Sequence, residues 1–218
     1  ADPSMHAPHH APAEWLAHFT GKFDQGWDEV RKETLARQIK AGIAPKGTTL
    51  SPRPPQFPAW NSLGPDAKAY HARLMEVAAA ELAYDDQQLG RLIDEIERMG
   101  LRDDTLIIFI QGDNGASGDH GPDGTTHEMA FASRGTPNTP EEFHREMADF
   151  GGPKTYENYS AAWAWAMNAP LPWVKTVASH LGGITNPMVI SWPKHIRGGG
   201  AIRSQFAHVI DITPTLLA

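Results

Sequence analysis

The feature that most constrains the fold is a long helical pattern that leads directly into a short apolar run. Apolar side chains recur three and four residues apart over residues 67–99, as they do along the buried face of a helix. Gly100 is placed to end this helix. After a turn at Arg102–Asp104, the run Thr-Leu-Ile-Ile-Phe-Ile at residues 105–110 is typical of a strand buried on both faces. The sequence therefore predicts a helix, a tight turn and a central strand in succession.

Further helices and strands alternate along the chain and indicate an α/β fold. Helices are predicted around residues 27–43 and 156–167, and strands at 187–192 and 204–210. Prolines crowd residues 45–65 and predict a loop, because proline lacks the N–H that helices and sheets need. We therefore expect an α/β sandwich.

The composition narrows the classes of function. With 218 residues, 40% of them hydrophobic, the chain is long enough to bury a sizeable core. A formal net charge of −7, with acidic and basic residues mixed along the chain, argues against a nucleic-acid partner. No apolar run approaches the roughly 18 residues that a membrane span needs. The absence of cysteine excludes disulfides and a cysteine nucleophile within the sequence, but it does not identify the compartment.

Both ends of the sequence have the pattern of an internal piece of a longer protein. The first four residues read as a loop or a cloning scar, and a His/Pro-rich turn follows at once. At the far end, Thr213 is a candidate N-cap and Pro214 occupies the first helical position. The sequence stops one turn into that predicted helix. We therefore expect a fold that is incomplete at both ends.

Polar residues with metal-binding chemistry follow the predicted central strand. In open α/β sheets, ligands bind beyond the carboxyl ends of the strands, where Asp113 and Asn114 lie. A carboxylate beside an amide carbonyl offers the oxygen ligands that Ca²⁺ and Mg²⁺ prefer. Asp-Asn-Gly also favours a tight turn, so both interpretations stay open. The loop at residues 115–153 is too long for a simple connector, and within it we expect His120 and His127 at the surface.

A histidine cluster near the start of the chain supplies a second candidate. Residues 5–12 contain three histidines spaced by prolines, which keep the segment extended. His9 and His10 should therefore point in different directions, which argues against a compact three-histidine site. His6 remains as a group that can contact an anion or move a proton near neutral pH.

Lys175 is the third candidate, because it lies a few residues before the paired glycines Gly182 and Gly183. A paired-glycine turn lets backbone approach a ligand closely. An ammonium beside such a turn can hold an anionic ester. A solvated surface lysine is the alternative interpretation of the same pattern.

Taken in order along the chain, five motifs resemble the type I sulfatase family of the alkaline-phosphatase superfamily. They are His-x-Pro at residues 6–8, the turn and strand ending in Asp-Asn-Gly at 101–115, a lysine before Gly-Gly at 175–183, Ser-Trp-Pro at 191–193, and Asp-x-x-Pro-Thr-Leu-Leu at 211–217. The resemblance covers nearly the whole chain and implies an alkaline-phosphatase-like sandwich, with a central mixed, mostly parallel sheet flanked by helices. It also implies that residues 1–218 are the central part of the catalytic domain, without the N-terminal nucleophile segment and the C-terminal subdomain.

The resemblance assigns roles to four residues. Asp113 resembles the family's metal-binding aspartate and Asn114 the amide ligand beside it, which together make half of a Ca²⁺ site that Mg²⁺ can also occupy. His6 resembles the histidine that contacts the sulfate ester, and Lys175 the lysine that contacts the same group. The upstream partners in the family are an aspartate pair and a Cys/Ser-x-Pro-x-Arg motif whose first residue becomes formylglycine, the nucleophile.

The resemblance therefore implies a metal-dependent hydrolase of small-molecule sulfate esters, inactive when reduced to this chain alone. Two departures stand out: residues 179–181 replace the usual Glu or Gln before Gly-Gly, and the arginine that normally follows the glycines is absent. Alternatives are a phosphonate or phosphate ester hydrolase of the same superfamily and a non-catalytic binding protein with a sulfatase-like fold.

Overall fold

The computed structural model describes residues 6–218, apart from the side chain of Arg134, and is mixed α/β with more helix than strand. The helices are α1 (Ala13–Phe19), α2 (Gly26–Ala41), α3 (Pro65–Arg98), α4 (Glu128–Arg134), α5 (Pro140–Glu146), α6 (Ala161–Met167), α7 (Leu181–Ile184) and α8 (Ile212–Leu217). The strands are β1 (Ile107–Ile110) and β2 (Met188–Ser191). Short 3₁₀ turns lie at Trp60–Ser62, Arg102–Asp104, Met147–Asp149 and Val209–Asp211. Among these residues, no helix is both long enough and apolar enough to cross a membrane.

Aromatic side chains form the centre of the core, where α2, α3 and α6 meet. Trp27 is fully buried, and its ring meets the rings of Trp60, His71 and Trp163 edge-on, with centroids between 4.7 and 5.6 Å apart. Edge-on packing places the positive rim of one ring against the negative face of another, which adds about 1 kcal/mol per pair to the gain from burial. α6 (Ala-Ala-Trp-Ala-Trp-Ala-Met) is buried through Ala166, which explains its lack of polar residues.

A buried arginine joins α2 to the segment that follows α6. The Arg31 guanidinium lies over the Trp165 ring at 3.9 Å and donates to the Trp165 carbonyl and to the carbonyl of Pro170. Burial lowers its pKa to about 10, and nearby Asp28 opposes that shift. Losing Arg31 would take this donor from the Trp165 carbonyl and leave the Pro170 carbonyl with the Ser51 N–H alone, so Arg31 helps to fix the course of the chain just before Lys175.

The predicted long helix is confirmed as α3, and Gly100 follows it with a positive φ of 72°. Its first half is buried between Tyr70 and Ala80, as the apolar spacing predicts. In its second half Leu92 is exposed, as is Met99 just beyond its end. The predicted buried face therefore holds for the first half of the helix only.

The sheet differs from the prediction. β1 and β2 pair antiparallel, with Ile107 opposite Ser191 and Ile110 opposite Met188. A central, mostly parallel sheet is not seen in the part of the chain that the structure describes. β1 is half-buried, so the prediction of a strand buried on both faces at residues 105–110 is wrong. Most of β2 is exposed.

The prediction of a third strand at residues 204–210 is also wrong. The structure has irregular backbone there, followed by the turn Val209–Asp211, and Phe206 is 88% exposed. Apolar spacing marks a segment that can pair, but a strand forms only where a partner accepts its N–H groups. The final helix is confirmed as α8, with Asp211 rather than Thr213 at its N-cap.

The long segment between β1 and α6 is more ordered than a simple loop. It contains α4 and α5, and Thr139 and Glu142 form a capping box at the start of α5. Phe143 of α5 is buried and stacks on Tyr70 of α3, with ring centroids 4.4 Å apart. The helix expected around 156–167 begins later, at Ala161, and is capped by the Ser160 side chain.

Candidate active site

The loop that follows β1, residues 113–120, is the centre of the candidate site, and we call it the DN loop. Asp113 and Asn114 lie just beyond the carboxyl end of β1, as predicted. The Asn114 Nδ2 amide donates to Asp113 Oδ1 at 2.5 Å, so the two side chains lie side by side. Asp113 is exposed and Asn114 half-buried. One carboxylate oxygen and the amide oxygen are therefore well placed to serve as ligands.

The backbone of Asn114 is held by a distant side chain. The Asn186 amide, oriented to satisfy both of its ends, donates to the Asn114 carbonyl at 2.6 Å and accepts from the Asn114 N–H at 2.8 Å. It also donates to the Gln111 carbonyl at 3.3 Å. This clamp fixes the end of β1 against the start of β2.

The paired glycines bring two segments of the protein together. The Gly115 N–H donates to the Gly183 carbonyl at 3.0 Å, and a Cβ on Gly115 would lie 1.7 Å from the Gly182 carbonyl oxygen. The Gly182 N–H donates to the Pro172 carbonyl at 3.0 Å. The paired glycines were predicted to let backbone approach a ligand closely. In the structure they approach the protein's own backbone instead, and this contact holds the Lys175 segment against the DN loop.

Lys175 lies directly against the DN loop. Its N–H donates to the Ala116 carbonyl at 2.9 Å, and its Nζ lies 3.5 Å from Asp119 Oδ2. The side chain is 26% exposed, so Lys175 is not a freely solvated surface lysine. Its neighbours Trp173 and Thr176 have φ values of 67° and 73°, a strained region for bulky or β-branched residues. Strain of this kind clusters at functional sites, where surrounding contacts hold it in place.

The histidine segment splits as its prolines predict. His9 is fully buried: its Nδ1 lies 2.5 Å from Glu81 Oε2, and its Nε2 lies 3.2 Å from Asn158 Oδ1. Burial raises the pKa of the Glu81 carboxyl, and the hydrogen bond with His9 opposes that shift. His10 points elsewhere, to the Thr155 carbonyl at 2.9 Å. His9 thus anchors the segment on α3.

His6 is exposed, and its Nδ1 lies 3.1 Å from the Ala7 carbonyl oxygen. Its segment is anchored by His9, whose ring stacks on Tyr159 with the ring centroids 5.1 Å apart.

His120 was expected at the surface, and this prediction is wrong. The residue is 7% exposed, with its ring against Phe131 and its Nε2 3.5 Å from Glu128 Oε1. Burial lowers its pKa, while Glu128 and Asp119 oppose the shift. His127 is exposed, as predicted, and its side chain caps the start of α4 by accepting from the Ala130 N–H.

Comparison with known proteins identifies the family. The family model for sulfatases matches residues 3–218. The chain belongs to the sulfatase family. It is 33% identical over 211 residues to an arylsulfatase of Klebsiella aerogenes, covering 97% of this chain and 43% of that protein. It is 30% identical over 213 residues to an uncharacterized sulfatase of Schizosaccharomyces pombe, covering 97% of this chain and 37% of that protein. The chain therefore spans less than half the length of these relatives.

Three of the four residues predicted for the site lie on or beside the DN loop: Asp113 and Asn114 begin the loop, and Lys175 is bonded to its middle. His6 lies on a separate exposed segment, which His9 anchors on α3. Within residues 6–218, no group of three or more His, Cys, Asp or Glu side chains is arranged to hold a metal. The Asp113 and Asn114 oxygens suit a hard cation and fit as part of its ligand set, with the remaining ligands from elsewhere.

The sequence patterns did not reveal the residues that hold the DN loop in place. Asn168 accepts from the Ala116 N–H at 3.0 Å and donates to the Trp173 carbonyl at 3.1 Å, linking the DN loop to the Lys175 segment. Asp119 pairs with Lys175 although 56 positions separate them. These contacts join residues far apart in the sequence, so no local spacing signals them.

Proposed function

We propose that the longer protein containing this chain hydrolyses small-molecule sulfate esters at the DN loop. The observation that supports the proposal is that a hard-cation ligand pair and a half-buried lysine lie on or against one loop. Membership of the sulfatase family and the 33% identity to an arylsulfatase give the ester class. Residues 1–218 are then part of the catalytic domain.

Lys175 and His6 hold the ester group in this proposal. A sulfate ester carries one negative charge, and charge grows on its bridging oxygen as the sulfur–oxygen bond breaks. A fixed ammonium stabilises this developing charge more than it stabilises the ground state, which is what accelerates the reaction. The His6 imidazole is exposed and can donate a hydrogen bond to a sulfuryl oxygen or to the departing alcohol.

Asp113 and Asn114 hold a divalent cation, Ca²⁺ or in second place Mg²⁺. When bound, the cation polarises the oxygens of the ester and of the nucleophile. The nucleophile, which the resemblance to type I sulfatases gives as formylglycine, comes from outside residues 1–218 in this proposal. So do the remaining acidic ligands. For this reason we expect that the 218-residue chain alone turns over no sulfate ester.

The proposal is tested with purified protein in its full-length form and as residues 1–218, assayed with nitrophenyl sulfate and added Ca²⁺. The full-length protein should release nitrophenol, and the 218-residue chain should not. Full-length protein that binds sulfate esters without cleaving them would instead favour a non-catalytic binding protein. Activity that co-purifies with the 218-residue chain would mean that the nucleophile lies within it.

A further inference from the structure

We propose that Asp119 sets the charge preference of the site, favouring a singly charged sulfate ester over a doubly charged phosphate ester. The inference rests on the proposed function, because it takes Lys175 as a contact of the ester group. Its basis is the ion pair between Asp119 Oδ2 and Lys175 Nζ, 3.5 Å apart. Asp119 is a specificity residue in this account: it acts on the ester through Lys175 and through its own charge.

The pair is held by contacts on both of its sides. Ser117 Oγ donates to Asp119 Oδ2 at 3.0 Å, which fixes the carboxylate. A Cβ on Gly118 would lie 2.7 Å from Val174 Cγ2, so the glycine allows the DN loop to lie flat against the Lys175 segment. The two side chains are only 26% and 35% exposed, so solvent screens this pair less than it screens a fully exposed one.

A lysine that shares its charge with a carboxylate still donates hydrogen bonds, but it contributes little net positive charge. Burial lowers the pKa of the neighbouring His120, so its ring also adds little positive charge near neutral pH. A sulfate ester needs only one charge balanced at the site. A phosphate monoester takes a second negative charge above about pH 6, and that charge would meet the Asp119 carboxylate.

The experiment measures kcat/KM of the full-length protein for nitrophenyl sulfate and nitrophenyl phosphate, which share a leaving group. Asp119→Asn keeps the size of the side chain and an acceptor for Ser117 but removes the charge. At about pH 8 it should raise the phosphate-to-sulfate ratio on the order of 10-fold, the scale for removing one unit charge at this range. At about pH 5 a larger share of the phosphate ester is singly charged, so the rise should be smaller.

Three further variants separate charge from shape. Asp119→Ser removes the same charge and should raise the ratio as Asp119→Asn does, whereas Asp119→Glu keeps the charge and should leave the ratio near that of the wild type. Asp149→Asn is the matched control, because Asp149 pairs with Lys154 at the surface at 3.0 Å. This control should leave kcat/KM for both esters unchanged.

The outcomes separate this inference from the proposed function. A wild-type protein that cleaves nitrophenyl sulfate, with an unchanged ratio in both Asp119→Asn and Asp119→Ser, would overturn the role of Asp119 alone. An equal rise at both pH values would overturn the charge explanation. A wild-type protein that leaves nitrophenyl sulfate intact would overturn the proposed function, and this inference with it.

Discussion

At the scale of single residues, Asp113 and Asn114 differ in what each gives to a cation. Asp113 offers a charged oxygen, whereas Asn114 offers a neutral one. In the structure Asn114 donates to Asp113, and Asn186 clamps the Asn114 backbone. These contacts hold the two residues side by side, which lowers the entropy lost when they are ordered around a cation.

Asp113→Ala in the full-length protein should lower both the bound divalent metal per molecule and kcat/KM for a sulfate ester, because a charged ligand is lost. Asn114→Ala should act in the same direction but more weakly. Elemental analysis after dialysis gives the metal content, with Asp104→Ala as a control from an exposed surface pair. Unchanged metal content in Asp113→Ala would return Asp-Asn-Gly to the tight-turn interpretation.

At the scale of elements, α3 carries an unusual buried group. His71 is 0% exposed and lies between aromatic rings, and neither of its ring nitrogens has a hydrogen-bond partner within residues 6–218. Burial lowers its pKa to about 3. The half-exposed Asp123 carboxylate, 3.9 Å from Nε2, is the charged group that faces it and the one that would favour its protonation.

This burial predicts a loss of stability in acid that originates in α3. The unfolded chain takes up a proton at His71 near pH 6.5, whereas the folded chain keeps the ring neutral. The stability that the neutral His71 ring contributes is therefore fully present above pH 6.5, and it is lost progressively as the pH drops from there towards 3. At pH 5 the loss from this one group is about 2 kcal/mol.

His71→Phe removes the titrating group without removing a hydrogen bond, so the variant should lose less stability than the wild type between about pH 7.5 and pH 5. Thermal or urea melts at the two pH values measure the difference. His18→Gln, on the exposed side of α1, is the control and should follow the wild type. If His71→Phe shows the same fall as the wild type, His71 takes up its proton without unfolding the core.

At the scale of the whole molecule, local sequence patterns predicted most of the helices and strands. They did not predict which distant parts of the chain these elements contact. The three-and-four spacing predicted α3, and the apolar runs at 105–110 and 187–192 predicted β1 and β2. The antiparallel pairing, the irregular backbone at 204–210 and the burial of His120 were not predicted. Each of these depends on contacts between distant parts of the chain, where spacing carries no information.

The site follows the same division between local and distant contacts. The four candidate residues came from the order of motifs along the chain, and the structure brings the segments of three of them together at the DN loop. Asn168, Asn186 and Asp119 hold these segments there through side-chain contacts that span 50 or more positions. In the proposed function, this assembly puts the Lys175 ammonium at the reacting ester.

Steady-state kinetics of Lys175→Ala in the full-length protein on nitrophenyl sulfate tests that claim most directly. The account predicts that kcat/KM falls by roughly 10² to 10³, the scale for losing one preorganised electrostatic contact. The melting temperature should change little, because Lys175 lies at the edge of the core and a partly exposed ion pair contributes about 1 kcal/mol at most. Lys154→Ala, which removes an exposed lysine, should keep the wild-type rate. A Lys175→Ala variant as active as Lys154→Ala would contradict the account and move the search for the sulfate contact to His180 and its neighbours.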